Sequence, residues 1–192
     1  MSEFDRQLHV STIASQYWCA IKLLMKHNRP DLQVETEHMS RGTFFHHLFG
    51  FDREEPIRTE YRGWYITGTP DLVLEDTVVE FKTLHDKADF KFCMYPAIAQ
   101  ANIYATLRNK PHFVIIIATV KGSQMYKIWN SNSMDTRPEK SKKDIDSAID
   151  ILENLVEPIP PQQRKCYSCD ARQHCKHFEE VRGRKYNQYI KE

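Results

Sequence analysis

No run of about 18 apolar residues occurs in the sequence, so no membrane-spanning helix is expected. The N-terminal segment, MSEFDRQLHV, is charged and polar where a secretory signal needs an apolar stretch. A soluble, cytoplasmic protein with no membrane partner is expected. An excess of one charge is missing as well: 27 basic and 26 acidic residues leave a formal net charge of +1. Any grip on a polyanion must then come from a local patch rather than from the field of the whole molecule. Internal repeats and low-complexity stretches are absent, which argues against solenoids and disordered arrays. The chain also lacks a G-x-x-x-x-G-K-[ST] run, so ATP-driven unwinding of nucleic acid is not expected of it.

What is present suffices for one compact domain over 1–192, since 192 residues with 41% hydrophobic content can bury a sizeable core. Ser11 to His27 reads as one amphipathic helix, with Ile13, Tyr17, Ala20 and Leu24 at helical spacing and Cys19 in its middle. A second helix is expected from Arg41 to about Phe49. Ile57 to Thr67 favours a strand that Gly68 closes, and a hairpin follows. Its arms are Asp71 to Leu74 and Val78 to Thr83, joined through Glu75-Asp76-Thr77. Pro96 to Arg108 reads as helix. His112 to Val120 and Gln124 to Trp129 read as strands around a turn at Gly122. Pro138 starts a last helix, whose stripe of Ile145, Ile149, Leu152 and Val156 docks on the sheet before Pro158 ends it. This order predicts an α/β or α+β fold with a mixed central sheet flanked by helices.

The hairpin carries the first chemical signal, Gly68-Thr69-Pro70-Asp71 followed by Glu80-Phe81-Lys82. Glu80 and Lys82 are two apart and share a strand face, and the hairpin returns them towards Asp71. Two carboxylates, with the backbone carbonyl of Phe81 between, suit a hard divalent cation such as magnesium or manganese. A cation there polarises a phosphate and acidifies water, and Lys82 orients that water or neutralises developing charge, which is phosphodiester hydrolysis. On spacing alone, the three charges are equally well an ion-paired patch of a half-exposed strand.

The second signal is Cys166-x-x-Cys169-x5-Cys175, following a proline-rich link. In a reducing compartment a clustered set of thiols points to metal rather than disulfides. Three sulfurs form a cup, and Cys19 is the natural fourth ligand, with His174 and His177 as rivals if the metal is zinc. Spacing does not separate a structural zinc from an iron-sulfur cluster. Cys93 is left over and reads as an ordinary buried thiol.

Taken together, the Pro-Asp then Glu-x-Lys hairpin, the upstream Gly42-x-x-x-His46 and the downstream Gln100-x-x-x-Tyr104 resemble the PD-(D/E)XK nucleases of the RecB type. One cysteine before that core and three after it narrow the resemblance to the fourth family of CRISPR-associated proteins, the RecB-like iron-sulfur exonucleases. The resemblance covers residues 11 to about 178. It implies a nuclease core over about 38–156 and an iron-sulfur module built from 11–28 and 159–178. It implies that His46 joins Asp71, Glu80 and the Phe81 carbonyl at magnesium or manganese. Gln100 and Tyr104 would face that site. Cys19, Cys166, Cys169 and Cys175 would hold an iron-sulfur cluster, with four irons rather than two. It further implies cleavage of single-stranded DNA, or of DNA with single-stranded overhangs, in the trimming of precursor spacers, with the CRISPR integrase as partner. A free-standing viral or repair nuclease of the same design is the alternative within the enzyme class. A non-catalytic metal-bound DNA- or integrase-binding module is the alternative outside it.

His46 and His47 are adjacent and so point about 100° apart on a helix, and periodicity does not choose between them. Candidate phosphate contacts are Lys87, Lys91, Arg108, Lys110, Arg164, Lys165 and Arg172. Tyr61, Trp64, Tyr65 and Tyr95 are candidates for stacking on unpaired bases, though such residues are more often sheet or core.

Overall fold

The computed structural model describes residues 6–29, 31, 37–50, 54–84, 90–121, 124–159, 166–167, 169, 172–180 and 182. Its strands divide between two sheets. The smaller holds β1 (Gln7–His9), β2 (Ile57–Tyr61) and β3 (Trp64–Gly68) in the order β1-β3-β2, with β1 parallel to β3 and β2 antiparallel to it. The larger holds β4 (Leu72–Val73), β5 (Thr77–Leu84), β6 (His112–Lys121) and β7 (Gln124–Asn130) in that order, with β8 (Met134–Asp135) on the end of β6. β5 and β6 run parallel, Glu80 beside Ile115, and the remaining pairs are antiparallel. The mixed sheet with flanking helices expected from the sequence is present. None of the helices among the described residues is long and apolar enough to cross a membrane.

The helices are α1 (Val10–Ser15), α2 (Ala20–Asn28), α3 (Glu37–Phe49), α4 (Phe90–Leu107) and α5 (Pro138–Leu152). Side-chain alternation along β5 decides what each covers. Val78 and Leu84 pack into the main core with Ala97, Ala101, Ile103 and Tyr104 of α4 and Ile145, Ala148 and Ile149 of α5. Phe81, of the opposite parity, packs with Phe45 of α3, Ala118 and Val120 in a second, smaller cluster. The five-stranded sheet is therefore covered by α4 on one face and α3 on the other, and Glu80 and Lys82 point to the α4 face.

Several expectations need correction. The helix expected over Ser11 to His27 is two helices, broken by a turn at 16–18. Cys19 is not mid-helix: it is the N-cap of α2, with φ −166° and ψ 122°. The strand expected over Ile57 to Thr67 is a hairpin. Arg62 and Gly63 both take positive φ, 52° and 72°, the two-residue turn whose twist matches paired strands. Arg62 tolerates that conformation while its guanidinium bridges Asp146 at 3.0 Å and Asp150 at 2.8 Å on α5. α4 begins at Phe90 rather than Pro96, which lies inside it. α5 starts with Pro138 as expected but ends at Leu152, so Val156 leaves the stripe and is exposed. The turn expected at Gly122 lies outside the described residues.

Candidate active site and the cysteine-lined cavity

Asp71 sits just ahead of β4, and its position across the hairpin from β5 lets its carboxylate cap the strand backbone. The Phe81 N–H donates to Oδ2 of Asp71 at 2.7 Å. N–H and C=O of one strand residue face the same strand edge, so the Phe81 carbonyl also lies on the Asp71 edge rather than the β6 edge. Oδ1 of Asp71 lies 3.2 Å from Nδ1 of His46, which α3 presents from above. Between the two adjacent histidines the fold selects His46; His47 is exposed. Its hydrogen bond to Asp71 raises the His46 pKa, against burial, which lowers it.

Glu80 is fully buried, and neither carboxylate oxygen accepts a hydrogen bond of normal geometry among the described residues. Its only close partner there is the Lys82 ammonium, in ion-pair contact with Oε1. Burial, and secondarily the charge of Asp71, push the Glu80 carboxyl from an ordinary 4.5 up to about 7. Burial works against the Lys82 ammonium too, but Glu80 and Asp71 outweigh it and its pKa is raised. Lys82 also donates to Oε1 of Gln100 at 3.3 Å. One helical turn on, Tyr104 is buried, and burial followed by the charge of Glu80 raises its phenol pKa. Its hydroxyl rests on Gly68, where a Cβ would come within 2.6 Å of it. That glycine, at φ +155°, heads the Gly68-Thr69-Pro70-Asp71 stretch, and its lack of a side chain makes room for the Tyr104 hydroxyl.

The two carboxylates, one imidazole and the Phe81 carbonyl fit a hard divalent cation, because burying Glu80 with unfilled oxygens is costly unless a positive charge completes its shell. As the side chains stand, no three His, Cys, Asp or Glu groups among the described residues close on one point. Glu80 is closed on Lys82 and Asp71 on His46, so holding an ion means opening these two pairs.

The cysteines come together elsewhere. Cys19, Cys166, Cys169 and Cys175 line one small cavity of about 20 Å³, walled by Trp18, Met25 and Phe178. None of the four is in a disulfide, and Cys19 and Cys166 are buried. Burial raises the pKa of both, and each is raised further by neighbouring cysteine charge. Four soft donors suit a thiolate-bound metal in kind, but as the side chains stand no three of them close on one point among the described residues. His177 also lines the cavity, whereas His174 is exposed. Cys93 is separate, packed against the main core.

The suggested DNA contacts fare unevenly. Trp64 is buried and donates to Glu153 at 3.0 Å, and Tyr61 bonds Asp146 at 3.0 Å, so both serve the core rather than a stacking platform. Tyr65 lies under the Arg58 guanidinium, 4.2 Å from its ring centroid, and Tyr95 is exposed. Arg108 donates to the Glu55 carbonyl, Lys110 to the Glu75 carbonyl at 2.8 Å and Arg172 to the Tyr167 carbonyl at 2.6 Å. Lys87, Arg164, Lys165 and the Lys91 side chain lie outside the described residues.

Among solved structures, that of SSO0001 superposes with a TM-score of 0.65 at 16% identity, covering 89% of this chain and 86% of that one. The two proteins share a fold. An alkaline exonuclease from Laribacter hongkongensis, LHK-Exo, is similar at a TM-score of 0.46 and 12% identity, over 79% of this chain and 90% of that one, too distant a likeness to carry a functional argument. No family model and no curated protein matches the sequence.

Proposed function

We propose that this protein is a divalent-metal-dependent deoxyribonuclease with a PD-(D/E)XK, restriction-endonuclease-like core that acts on single-stranded DNA or single-stranded overhangs. The observation that carries the reading is Glu80, a fully buried carboxylate whose close partner among the described residues is the Lys82 ammonium, set beside a second carboxylate, Asp71, and His46. A structural ion pair gains nothing from such burial, since a desolvated carboxylate next to a second one is held only at a cost.

Asp71, Glu80, His46 and the Phe81 carbonyl would hold magnesium or manganese. The ion supplies positive charge at the scissile phosphate and makes water more acidic. Asp71 is held for this by the Phe81 N–H, which fixes its carboxylate without neutralising it. Lys82, steered by Gln100, hydrogen-bonds the attacking water and stabilises the charge that develops on the phosphate. Tyr104 keeps its proton, since burial disfavours the phenolate, and so donates towards the same place.

We further infer that the cysteine-lined cavity takes an iron-sulfur cluster on Cys19, Cys166, Cys169 and Cys175, preferably with four irons. The presence of all four cysteines, from the N-terminal and C-terminal segments, in the lining of one cavity supports this. The sequence resemblance supports a role in CRISPR adaptation beside the integrase. The deciding experiment is cleavage of labelled single-stranded DNA with manganese or magnesium. Wild-type protein is expected to cut and Glu80→Ala protein, folded as judged by circular dichroism, to be inactive. A Glu80→Ala variant that cuts at the wild-type rate overturns the assignment.

A further inference from the structure

Asn102 stands on α4 two residues from Gln100 and two from Tyr104, so its side chain leaves the helix roughly 160° from theirs. It is 3% exposed, and both ends of its amide are engaged with the start of α5. Oδ1 accepts from the Arg137 N–H at 2.7 Å, while Nδ2 donates to the Arg137 carbonyl at 3.0 Å and to Oγ of Ser141 at 2.7 Å. A backbone N–H can only donate, so the Arg137 N–H fixes which end of the amide faces it. Arg137 is the N-cap of α5, and Ser141, one turn on, is fully buried. The Thr106 hydroxyl completes the group, donating to the Asn102 carbonyl at 2.8 Å and lying 2.8 Å from Oγ of Ser141.

Such a network is costly to bury unless every partner is in place, so it tolerates one arrangement of the two helices. The core face of α4 is built largely on Ala97, Ala101 and Ala105, with Ile103 and Tyr104 as its larger side chains. Alanines offer shallow ridges, and apolar packing alone therefore holds the rotation of the helix weakly. A satisfied polar group between helices sets that rotation, as a buried amide sets register in other helix pairs. The tolerance at the front of the helix is narrow. Side-chain tips lie about 5–6 Å from a helix axis, so a turn of about 10° moves them by about 1 Å. The Gln100 to Lys82 hydrogen bond, at 3.3 Å, does not survive such a shift, and the Tyr104 hydroxyl leaves its place against Gly68.

Resting on the nuclease reading above, we propose that Asn102 is a positioning residue: bonded to the N-cap of α5, it fixes the rotation of α4 and thereby aims Gln100 at Lys82 and Tyr104 at Gly68. Asn102 itself stays away from substrate and metal, and its effect passes through the two side chains on the opposite face.

The test is cleavage of labelled single-stranded DNA with manganese by wild type, Asn102→Ala and Ser141→Ala, each well below its own Tm so that the proteins compared are folded. Asn102→Ala is expected to lower kcat about 10- to 100-fold with KM for the strand unchanged, the usual penalty for a misplacement of about 1 Å. Ser141→Ala leaves both Arg137 bonds in place and is expected to lower kcat about two- to fivefold. In a Gln100→Ala/Tyr104→Phe background, where nothing is left to aim, either substitution should change the residual rate less than about twofold. A folded Asn102→Ala protein that cuts at the wild-type rate overturns the inference, as does the same factor lost in both backgrounds, which marks a merely structural role. Should Asn102→Ala fail to fold, Ser141→Ala carries the same comparison, and an unchanged rate or equal losses overturn it. If the wild type never cuts, the nuclease reading fails, and the aim of α4 is read in EDTA from the ring signal of Tyr104 in protein carrying isotope-labelled tyrosine. The same signal serves if the doubly substituted background is too slow to follow. A Tyr104 signal displaced in Asn102→Ala or Ser141→Ala supports the aiming role, and one that stays in place overturns it.

Discussion

Replacing Glu80 by glutamine removes a charge without removing volume, and its effect on the metal-free protein follows from the carboxyl's displaced pKa. A folded value of about 7 against an ordinary 4.5 means that the folded state favours the protonated acid. A raised folded pKa contributes stability that is complete below the unfolded value and is lost as pH rises through the folded one. The window is therefore the interval from 4.5 to about 7. Across it the wild type should lose about 3 kcal/mol, since each unit is worth about 1.4 kcal/mol. Glu80→Gln has nothing to ionise and escapes the loss. Lys82 loses its ion-pair partner, which returns part of the gain, but its side chain is 29% exposed and it still donates to Gln100. The expected net result is a variant about 1–3 kcal/mol more stable than wild type at about pH 8, or roughly 2–12 °C in Tm, with little difference near pH 4. Thermal or urea unfolding in EDTA at the two pH values measures it. Manganese should then raise the wild-type Tm at about pH 8 and leave that of Glu80→Gln nearly unchanged. A difference between variant and wild type that is the same at both pH values refutes the reasoning.

Lys82→Ala leaves the buried Glu80 carboxylate without its nearby cation, so cleavage should be nearly abolished and metal-free stability near pH 8 should fall by about 1–3 kcal/mol. Gly68→Ala sets a Cβ within 2.6 Å of the Tyr104 hydroxyl; chemical denaturation should show a loss of about 1–3 kcal/mol, part of it recovered by adding Tyr104→Phe. Cys19→Ser should reduce iron and acid-labile sulfide in anaerobically purified protein and turn a brown preparation pale, while Cys93→Ser should not. A colourless wild type with stoichiometric zinc would replace iron by zinc and keep the four-thiol site. Metal affinity in a titration should rise with pH to just above 7, because Glu80 and His46 must shed protons to bind, and a flat profile would contradict the shifts assigned to them.

The parts of this protein legible in its sequence are those set by short-range geometry. Asp71, Glu80 and Lys82 were placed together because strand periodicity and a short hairpin leave few other arrangements, and the spacing of Cys166, Cys169 and Cys175 marks a cup for the same local reason. Helix and strand types were also readable. Boundaries differ from the local pattern where one residue redirects the chain, as at Arg62-Gly63, where positive φ turns one expected strand into two, and at Cys19, where an extended N-cap splits one expected helix. His46, Gln100 and Tyr104 stand out only through the resemblance, because nothing local distinguishes them from other polar residues on amphipathic helices. Tertiary structure decided the rest. Packing of Phe45 on Phe81 sets the rotation of α3 and so turns His46 rather than His47 to Asp71. The parallel pairing of β1 with β3 brings His9 to Thr67, and docking of α4 brings the Tyr104 hydroxyl against Gly68. These contacts join residues tens of positions apart, and their energy depends on side-chain shapes meeting across the core, which no local pattern of residues encodes.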